Sequence, residues 1–433
     1  MERLLWCFVR KPILHRRTKV CMSACFLLLI SLIVYIWFLS FSEDEPEIVS
    51  VIVPEQDHGQ FVQYFQWNSI PAGRSTHKTI KILFWTKFFG TPPDTFVEQE
   101  KTCATHCEYT CAVISDQREI NSSDAIMFHL YDSWPENWVV GTKQLVDLPN
   151  HRHPSQVWVL VNKEPLGNLW GDFSVFNGLI NWTMWYRQDA TIVLPYGEVY
   201  KLQPEDKDKI NTTVNYYRQK SKLAAVRISN CADYARRYKV VKELQKYLKI
   251  DTYGTCYNNK CGARTDNPFD EECDEKMVEY RFYLAFENSF CRDYVTEKYW
   301  LSIRRQQIPV VNWKHVDPAT VLPHSYINVY DFPNLREAAI YIKKVNGNET
   351  LYNSYFKWKE THIPGGKCIS CRVCHALNER PAIPQVYSNF SGWVYNDYCE
   401  SVNEHNLWKK NIDRHHFNIE NDRLVTKYAN SIN

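Results

Sequence analysis

The chain has 433 residues, enough for two domains with their own cores, and a formal net charge of +2. That near-neutral balance excludes a polyanion such as nucleic acid as the expected partner. Aromatic residues make up 15% of the chain, a share that serves a large core as well as it serves stacking on sugar rings.

The first 19 residues carry Arg3, Arg10, Lys11, Arg16, Arg17 and Lys19, and Val20 to Phe41 then runs 22 residues without a charge. A helix of that length spans a bilayer. Glu43, Asp44, Glu45 and Glu47 follow on the other side. The positive-inside rule predicts a cytosolic tail over 1–19, a signal anchor over 20–41, and everything beyond it in the lumen or outside. A cleaved signal peptide is the alternative. The apolar run exceeds a signal's length and no clear small-x-small cleavage site follows, so an uncleaved type II anchor is expected. N-glycosylation sequons stand at Asn121, Asn181, Asn211, Asn348 and Asn389, all on the lumenal side. Twelve of the 15 cysteines lie there too, an even number in an oxidising compartment, which predicts disulfides.

Residues 42–77, with prolines, acidic residues and little periodicity, read as a stem. A first α/β domain over 78–205 opens with a strand at Ile80–Trp85, followed by apolar strands at Ala125–His129 and Val157–Val161. Glu164 sits just past the third, where a catalytic carboxylate is well placed, although an acid beside a proline is more often a turn residue. Residues 201–222 are polar and Lys-rich and read as a crossing between domains. The Asp206-Lys207-Asp208 run there looks like a metal-holding D-x-D, yet a charged linker makes solvated surface the better reading, and no metal enters the expected chemistry.

The second domain, 222–365, opens with an apolar strand at Leu223–Ile228. Ser229 and Asn230 follow as expected caps, before a helix with Val240, Val241, Leu244 and Leu248 on one face. Such a strand-to-helix turn cradles phosphate, and Arg236 and Arg237 lie early on that helix. A strand at Ile250–Tyr253 and a loop with Cys256, Cys261 and Cys273 lead to Phe282–Phe286, an unbroken apolar run that reads as a doubly covered strand. It stops at Glu287-Asn288. A polar loop reaches Asp293, the expected cap, and a helix then carries Tyr294, Glu297 and Lys298 around its first turns. A lysine there meets a phosphate and a carboxylate holds a sugar hydroxyl; the bland alternative is two solvated side chains. Strands at Ile308–Val311 and Ile327–Tyr330 follow, then a helix with Leu335, Ala338, Ala339, Ile342 and Val345 on one face. Residues 366–433 form a Cys-containing extension. Its Cys371-Arg372-Val373-Cys374-His375 fits the haem-attachment pattern, and with Cys368 a zinc knuckle, but an oxidising lumen favours disulfides.

The stretch from Phe282 to Lys298, with Glu287, Asn288, Tyr294 and the run Val295 to Lys298, closely resembles the signature of the α1,3-fucosyltransferases of glycosyltransferase family 10. These enzymes move L-fucose from GDP-fucose onto N-acetylglucosamine (GlcNAc)-containing glycans. The segment Phe176 to Gly197 resembles the family's N-W-T, Y-R-x-D and P-Y-G segment, and the likeness extends over about residues 80 to 375. It implies a GT-B fold, two Rossmann-like α/β domains facing a cleft, behind one transmembrane helix and a stem. Glu164 then corresponds to the catalytic base, although the serine usual between that glutamate and proline is missing here. Arg237, or Arg236 if the register slips by one, corresponds to the arginine on the GDP diphosphate. Asn288, Tyr294, Glu297 and Lys298 complete the donor site for GDP-fucose. Cys371 and Cys374 match a terminal C-x-x-C, and Cys103 and Cys111 an upstream pair, with the connectivity open between local and long-range pairings. The implied enzyme is an inverting α1,3-fucosyltransferase of the Golgi membrane, type II, acting on a GlcNAc acceptor with no cofactor and no essential divalent cation. A protein O-fucosyltransferase, another GT-B transferase and an inactive lumenal glycan-binding protein are the alternatives.

Overall fold

Ala125–His129 (AIMFH) and Val157–Val161 (VWVLV) have no polar side except at their ends, and every one of their residues is buried. A strand with no wet face must be covered on both sides, and parallel pairing beneath helices achieves this. The computed structural model describes a strand at Val62–Tyr64 and residues 79–400. Segments 104–106, 134–147, 150–151, 154, 167–172, 205–212, 232, 262–270, 380–384 and 397–398 are excepted. The expected tail, membrane anchor and most of the stem, the sequon at Asn211 and the Asp206-Lys207-Asp208 run lie outside the described residues. Among those described, no helix is long and apolar enough to cross a membrane.

The fold is α/β with two parallel sheets, an arrangement consistent with GT-B. β1 (Val62–Tyr64) stands apart from both. The first sheet contains β2 (Lys81–Phe84), β3 (Ala112–Ile114), β4 (Ala125–His129), β5 (Val157–Val161), β6 (Trp182–Trp185) and β7 (Ile192–Val193), in the order β3-β2-β4-β5-β6-β7. β8 (Glu198–Lys201) leads out of it. The second sheet contains β9 (Lys222–Arg227), β10 (Ile250–Tyr253), β11 (Tyr280–Leu284), β12 (Ile308–Val311) and β13 (Ile327–Asn328), in the order β10-β9-β11-β12-β13. All pairings in both sheets are parallel. Strand order reverses between β2 and β4 and again between β9 and β11. At such a switch the connections leave on opposite faces and open a crevice beyond the carboxyl ends of the strands.

Helix α1 (Pro93–Cys103) follows β2. Helices α2 (Arg237–Leu244), α3 (Glu271–Met277), α4 (Glu297–Arg304), α5 (Leu335–Asn346) and α6 (Glu349–Ser354) belong to the second sheet. Ser229 and Asn230 do not cap α2. The helix begins later, after Arg236 in a left-handed turn at φ 52° and without a side-chain cap. The loop between is held instead by a disulfide from Cys231 to Cys256. Likewise Asp293 lies in a left-handed turn at φ 56°, and Thr296 is the cap of α4, its hydroxyl accepting from the Lys298 N–H.

The last third of the chain returns to the first sheet. β14 (His362–Gly365) pairs antiparallel with β8. Helix α7 (Ile369–Glu379) buries Ile369, Val373, Cys374, Ala376 and Leu377 in one face of the first sheet's core. On the other face, β15 (Gln385–Tyr387) pairs with β1, and helix α8 (Phe390–Tyr395) buries Phe390 and Val394. Residues 369–399 therefore complete the first domain rather than extend the second. Cys103–Cys368, Cys107–Cys371 and Cys111–Cys374 staple α7 in place. Cys103 and Cys111 do not pair with each other, and Cys371 and Cys374, each already bonded, are not haem or zinc ligands. Cys261–Cys273 and Cys291–Cys399 complete six disulfides among the described residues.

Of the sequons, Asn121, Asn348 and Asn389 are exposed. Asn181 is 0% exposed. Its carbonyl oxygen accepts from the Trp158 N–H at 2.8 Å and from Arg152. An amide enclosed in this way has no room for a glycan in the folded chain, which corrects the expectation there.

Candidate active site

At the carboxyl edge of the second sheet, β11 gives way to Glu287, which is 1% exposed. Its main chain is locked by Asn312, whose side-chain oxygen accepts from the Glu287 N–H at 2.7 Å while its amide donates to the Glu287 carbonyl at 3.0 Å. The Glu287 carboxylate accepts from the Thr296 N–H at 2.8 Å and lies 2.8–3.0 Å from the Thr296 hydroxyl. This closes the signature loop and sets the start of α4. Lys298 Nζ donates to the Thr296 hydroxyl at 2.9 Å and to Glu297 at 2.8 Å, and lies 3.6 Å from Glu287.

The electrostatics follow from that cluster. Burial opposes the charge on Lys298, but Glu297 and Glu287 outweigh it and its pKa is raised. Burial also opposes ionisation of Glu297, yet Lys298 prevails and the carboxyl is lowered. For the deeper Glu287, burial wins over Lys298 and the pKa is raised. The edge thus holds a fixed ammonium flanked by one ionised, partly open carboxylate and one sealed beneath.

The resemblance implies that Arg237 meets the GDP diphosphate. In the structure it is 4% exposed. Its Nε donates to Asp233 at 2.9 Å, and its terminal nitrogens to the carbonyls of Phe286 at 3.3 Å and Asn230 at 3.4 Å. A buried cation must be paired, so Arg237 here fixes the loop after β9, with Arg236 less buried beside it. Asn288 joins that loop to the signature, its carbonyl accepting from the Ala235 N–H at 3.0 Å. The side-chain oxygens of Asn288 and Ser289 are enclosed and find no partner among the described residues.

At the carboxyl edge of the first sheet, Glu164 follows β5 by three residues. Asn162, 0% exposed, donates to the Glu164 carbonyl at 2.8 Å and accepts from its N–H at 3.2 Å. Trp185 donates to the same carbonyl at 3.0 Å. The main chain is therefore fixed at the strand end. Burial first, then the Glu164 carboxylate, pushes the neighbouring Tyr131 up to about 12.

Tyr294 joins the two edges. It comes from the signature loop of the second domain, yet its ring is buried in the core of the first sheet, 4.9 Å from Tyr186 and 6.2 Å from Tyr196. Burial raises its pKa, with further contributions from Tyr196, Glu164, Glu287 and Glu297. The carboxylates of both edges therefore act on one phenol. Tyr196 donates to the Lys163 carbonyl at 2.8 Å, and Lys163 Nζ lies 4.7 Å from the Tyr196 ring. Next to it, Gly197 seats the Trp300 ring of α4 with no space for a Cβ.

Glu297 and Lys298 thus stand side by side as expected of their adjacency. Glu287 and Thr296 belong to the signature but were given no role by sequence, and Lys163 and Asp233 were given none either, because each acts through a residue several positions or a whole domain away. No three His, Cys, Asp or Glu side chains among the described residues gather as a metal site would require.

Residues 77–197 match the family described as "Fucosyltransferase, N-terminal". Residues 217–393 match "Glycosyltransferase family 10 (fucosyltransferase) C-term", so the likeness runs past residue 375 through α7 and into α8. Alpha-(1,3)-fucosyltransferase C of Drosophila melanogaster is 31% identical over 372 residues, covering 79% of this chain and 81% of that protein. Alpha-(1,3)-fucosyltransferase fut-6 of Caenorhabditis elegans is 31% identical over 339 residues, covering 75% and 82%. Glycoprotein 3-alpha-L-fucosyltransferase A of Drosophila melanogaster is 38% identical over 223 residues, and there the chain spans only 43% of the relative's length. A crystal structure of an alpha1,3-fucosyltransferase with GDP-fucose aligns over 76% of this chain and 96% of that one, at 18% identity and a TM-score of 0.43. With both family regions present and two of these relatives matched over about four fifths of their length, the chain belongs to glycosyltransferase family 10, the fucosyltransferases, and is a glycosyltransferase.

Proposed function

We propose that the chain is an inverting α1,3-fucosyltransferase that moves L-fucose from GDP-β-L-fucose to a GlcNAc residue of N-glycans or related glycoconjugates. The observation that carries this reading is the burial of Tyr294 in the first domain. It sets Glu164 on one strand edge and Glu287 and Glu297 on the other within electrostatic reach of the same phenol.

In this reading GDP lies along the second edge. Glu297 accepts from the nucleotide ribose, Lys298 faces the diphosphate, and Asn288, with its unpartnered oxygen, faces the donor. Glu164 takes the proton from the acceptor hydroxyl as that oxygen bonds to the fucose anomeric carbon. The bond from that carbon to the phosphate oxygen breaks on the opposite side, so configuration inverts, as in single-displacement glycosyl chemistry. GDP is a good leaving group. Its charge is met by Lys298 and the α4 N-terminus, with no divalent cation required.

The purified protein should transfer fucose from GDP-fucose to oligosaccharides carrying GlcNAc, in the presence of a chelator, with α-linked product by NMR. Transfer to a folded peptide acceptor alone, or none at all, would overturn the proposal. Lys298→Ala removes one charge-assisted contact of roughly 1.5–3 kcal/mol, so GDP affinity should fall about 10- to 150-fold by calorimetry.

The same reading places the catalytic part in the Golgi lumen behind the 20–41 anchor. The charge pattern around that segment supports it, as do six disulfides that suit an oxidising compartment. The full chain expressed in secretory cells should carry N-glycans at Asn121, Asn348 or Asn389. A product with none reverses the topology.

A further inference from the structure

A helix cap needs only an acceptor for the first N–H groups, and the Thr296 hydroxyl already serves α4. A sealed carboxylate behind that cap is not needed for it, and sealing it costs desolvation. Glu287 is such a carboxylate, and it faces Thr296 with both oxygens. The proton order across the cluster follows from the donors available. Lys298 Nζ can only donate, so it donates to the Thr296 oxygen, and the single hydroxyl proton of Thr296 goes to Glu287. Lys298 also meets both carboxylates, Glu297 at 2.8 Å and Glu287 at 3.6 Å, and Glu297 is the more open of the two, with side-chain exposures of 24% against 1%.

We propose that Glu287 is a positioning residue for Lys298, acting through the Thr296 hydroxyl so that the ammonium keeps its place when Glu297 turns to the donor. This rests on reading the edge as the donor site. An ammonium tied to Glu297 alone would lose its only anchor on donor binding. Tied also to Thr296 and Glu287, it stays against the loop, and Asn312 holds that loop rigid from below. The depth of Glu287 is consistent with this, since no ligand atom competes for its oxygens.

The test titrates the full-length protein with GDP by calorimetry. The variants are Glu287→Gln, Thr296→Val and Thr296→Ser, each alone and combined with Lys298→Ala. Glu287→Gln and Thr296→Val should each weaken GDP binding about tenfold, while Thr296→Ser, which keeps the hydroxyl, should stay within about threefold. On the Lys298→Ala background none should matter, because the relay then has nothing to hold. Should Glu287→Gln fail to fold, the Thr296→Val and Thr296→Ser pair decides alone, since the relay passes through that hydroxyl. Losses that add fully to that of Lys298→Ala in folded protein would overturn the proposal and leave Glu287 as scaffold for the loop. If Lys298→Ala itself leaves GDP binding unchanged, the donor-site reading falls and this inference falls with it.

Discussion

Glu164 and Lys298 show opposite ways of readying a side chain. At Glu164 the protein holds the main chain, through Asn162 and Trp185. At Lys298 it holds the charged group itself, through Thr296 and Glu297. Glu164→Gln keeps the shape and cannot accept the proton. If Glu164 is the proposed base, the variant's kcat should fall by at least about 10²–10⁴-fold with GDP binding intact, because the proposed donor site lies on the other edge. Retention of more than about a tenth of the parent kcat in folded protein moves the base elsewhere. Glu297 and Lys298 were legible in the sequence because they are adjacent at a helix start. The pairing of Glu287 with Thr296 was not, since it needs the loop between them to close.

Among elements, α4 links the two domains as well as bearing Glu297 and Lys298. Trp300 packs on Gly197, and Tyr294, just before the helix, enters the first core. Any side chain at Gly197 overlaps the indole. Gly197→Ala should therefore lower stability by about 1–3 kcal/mol, the usual weight of overpacking, and a second change of Trp300→Leu should recover part of it. An unchanged melting temperature for Gly197→Ala would mean that this contact is not made in solution. The P-Y-G run was visible in the sequence, but its role as a seat was not, because the indole it receives lies in another domain.

For the whole molecule, the three parallel disulfides onto α7 fix that helix to the end of α1 and the segment after it. Each alone closes a loop of about 264 residues, but once one has formed, the others close only small rings. Their contributions are therefore unequal. Replacing Cys107 and Cys371 by alanine, with the neighbouring bridges intact, should cost about 2 kcal/mol in denaturant unfolding. Removing the last remaining bridge should cost about 5 kcal/mol. Equal increments for all three would show that loop closure is not what they supply.

The strands of the second sheet, and β2, β4 and β5 of the first, could be read from sequence, because a run such as VWVLV or IPVV has no face to give to water and must lie between covering layers; the short β3, β6 and β7 were not read as strands. The polar positions at the strand ends were legible for the same reason, since the apolar run stops there. What the sequence could not determine depends on closure across distance. The buried Asn181 matches an open sequon in every local respect, and only the Arg152 and Trp158 contacts show it to be sealed. Arg237 looks like any helix-start arginine until Asp233 is seen to neutralise it. Residues 369–399 carry no local sign of the sheet they cover. The apolar faces of α7 and α8 are met in large part by strands that left the chain more than 170 residues earlier, and pairing at that separation is a property of the fold.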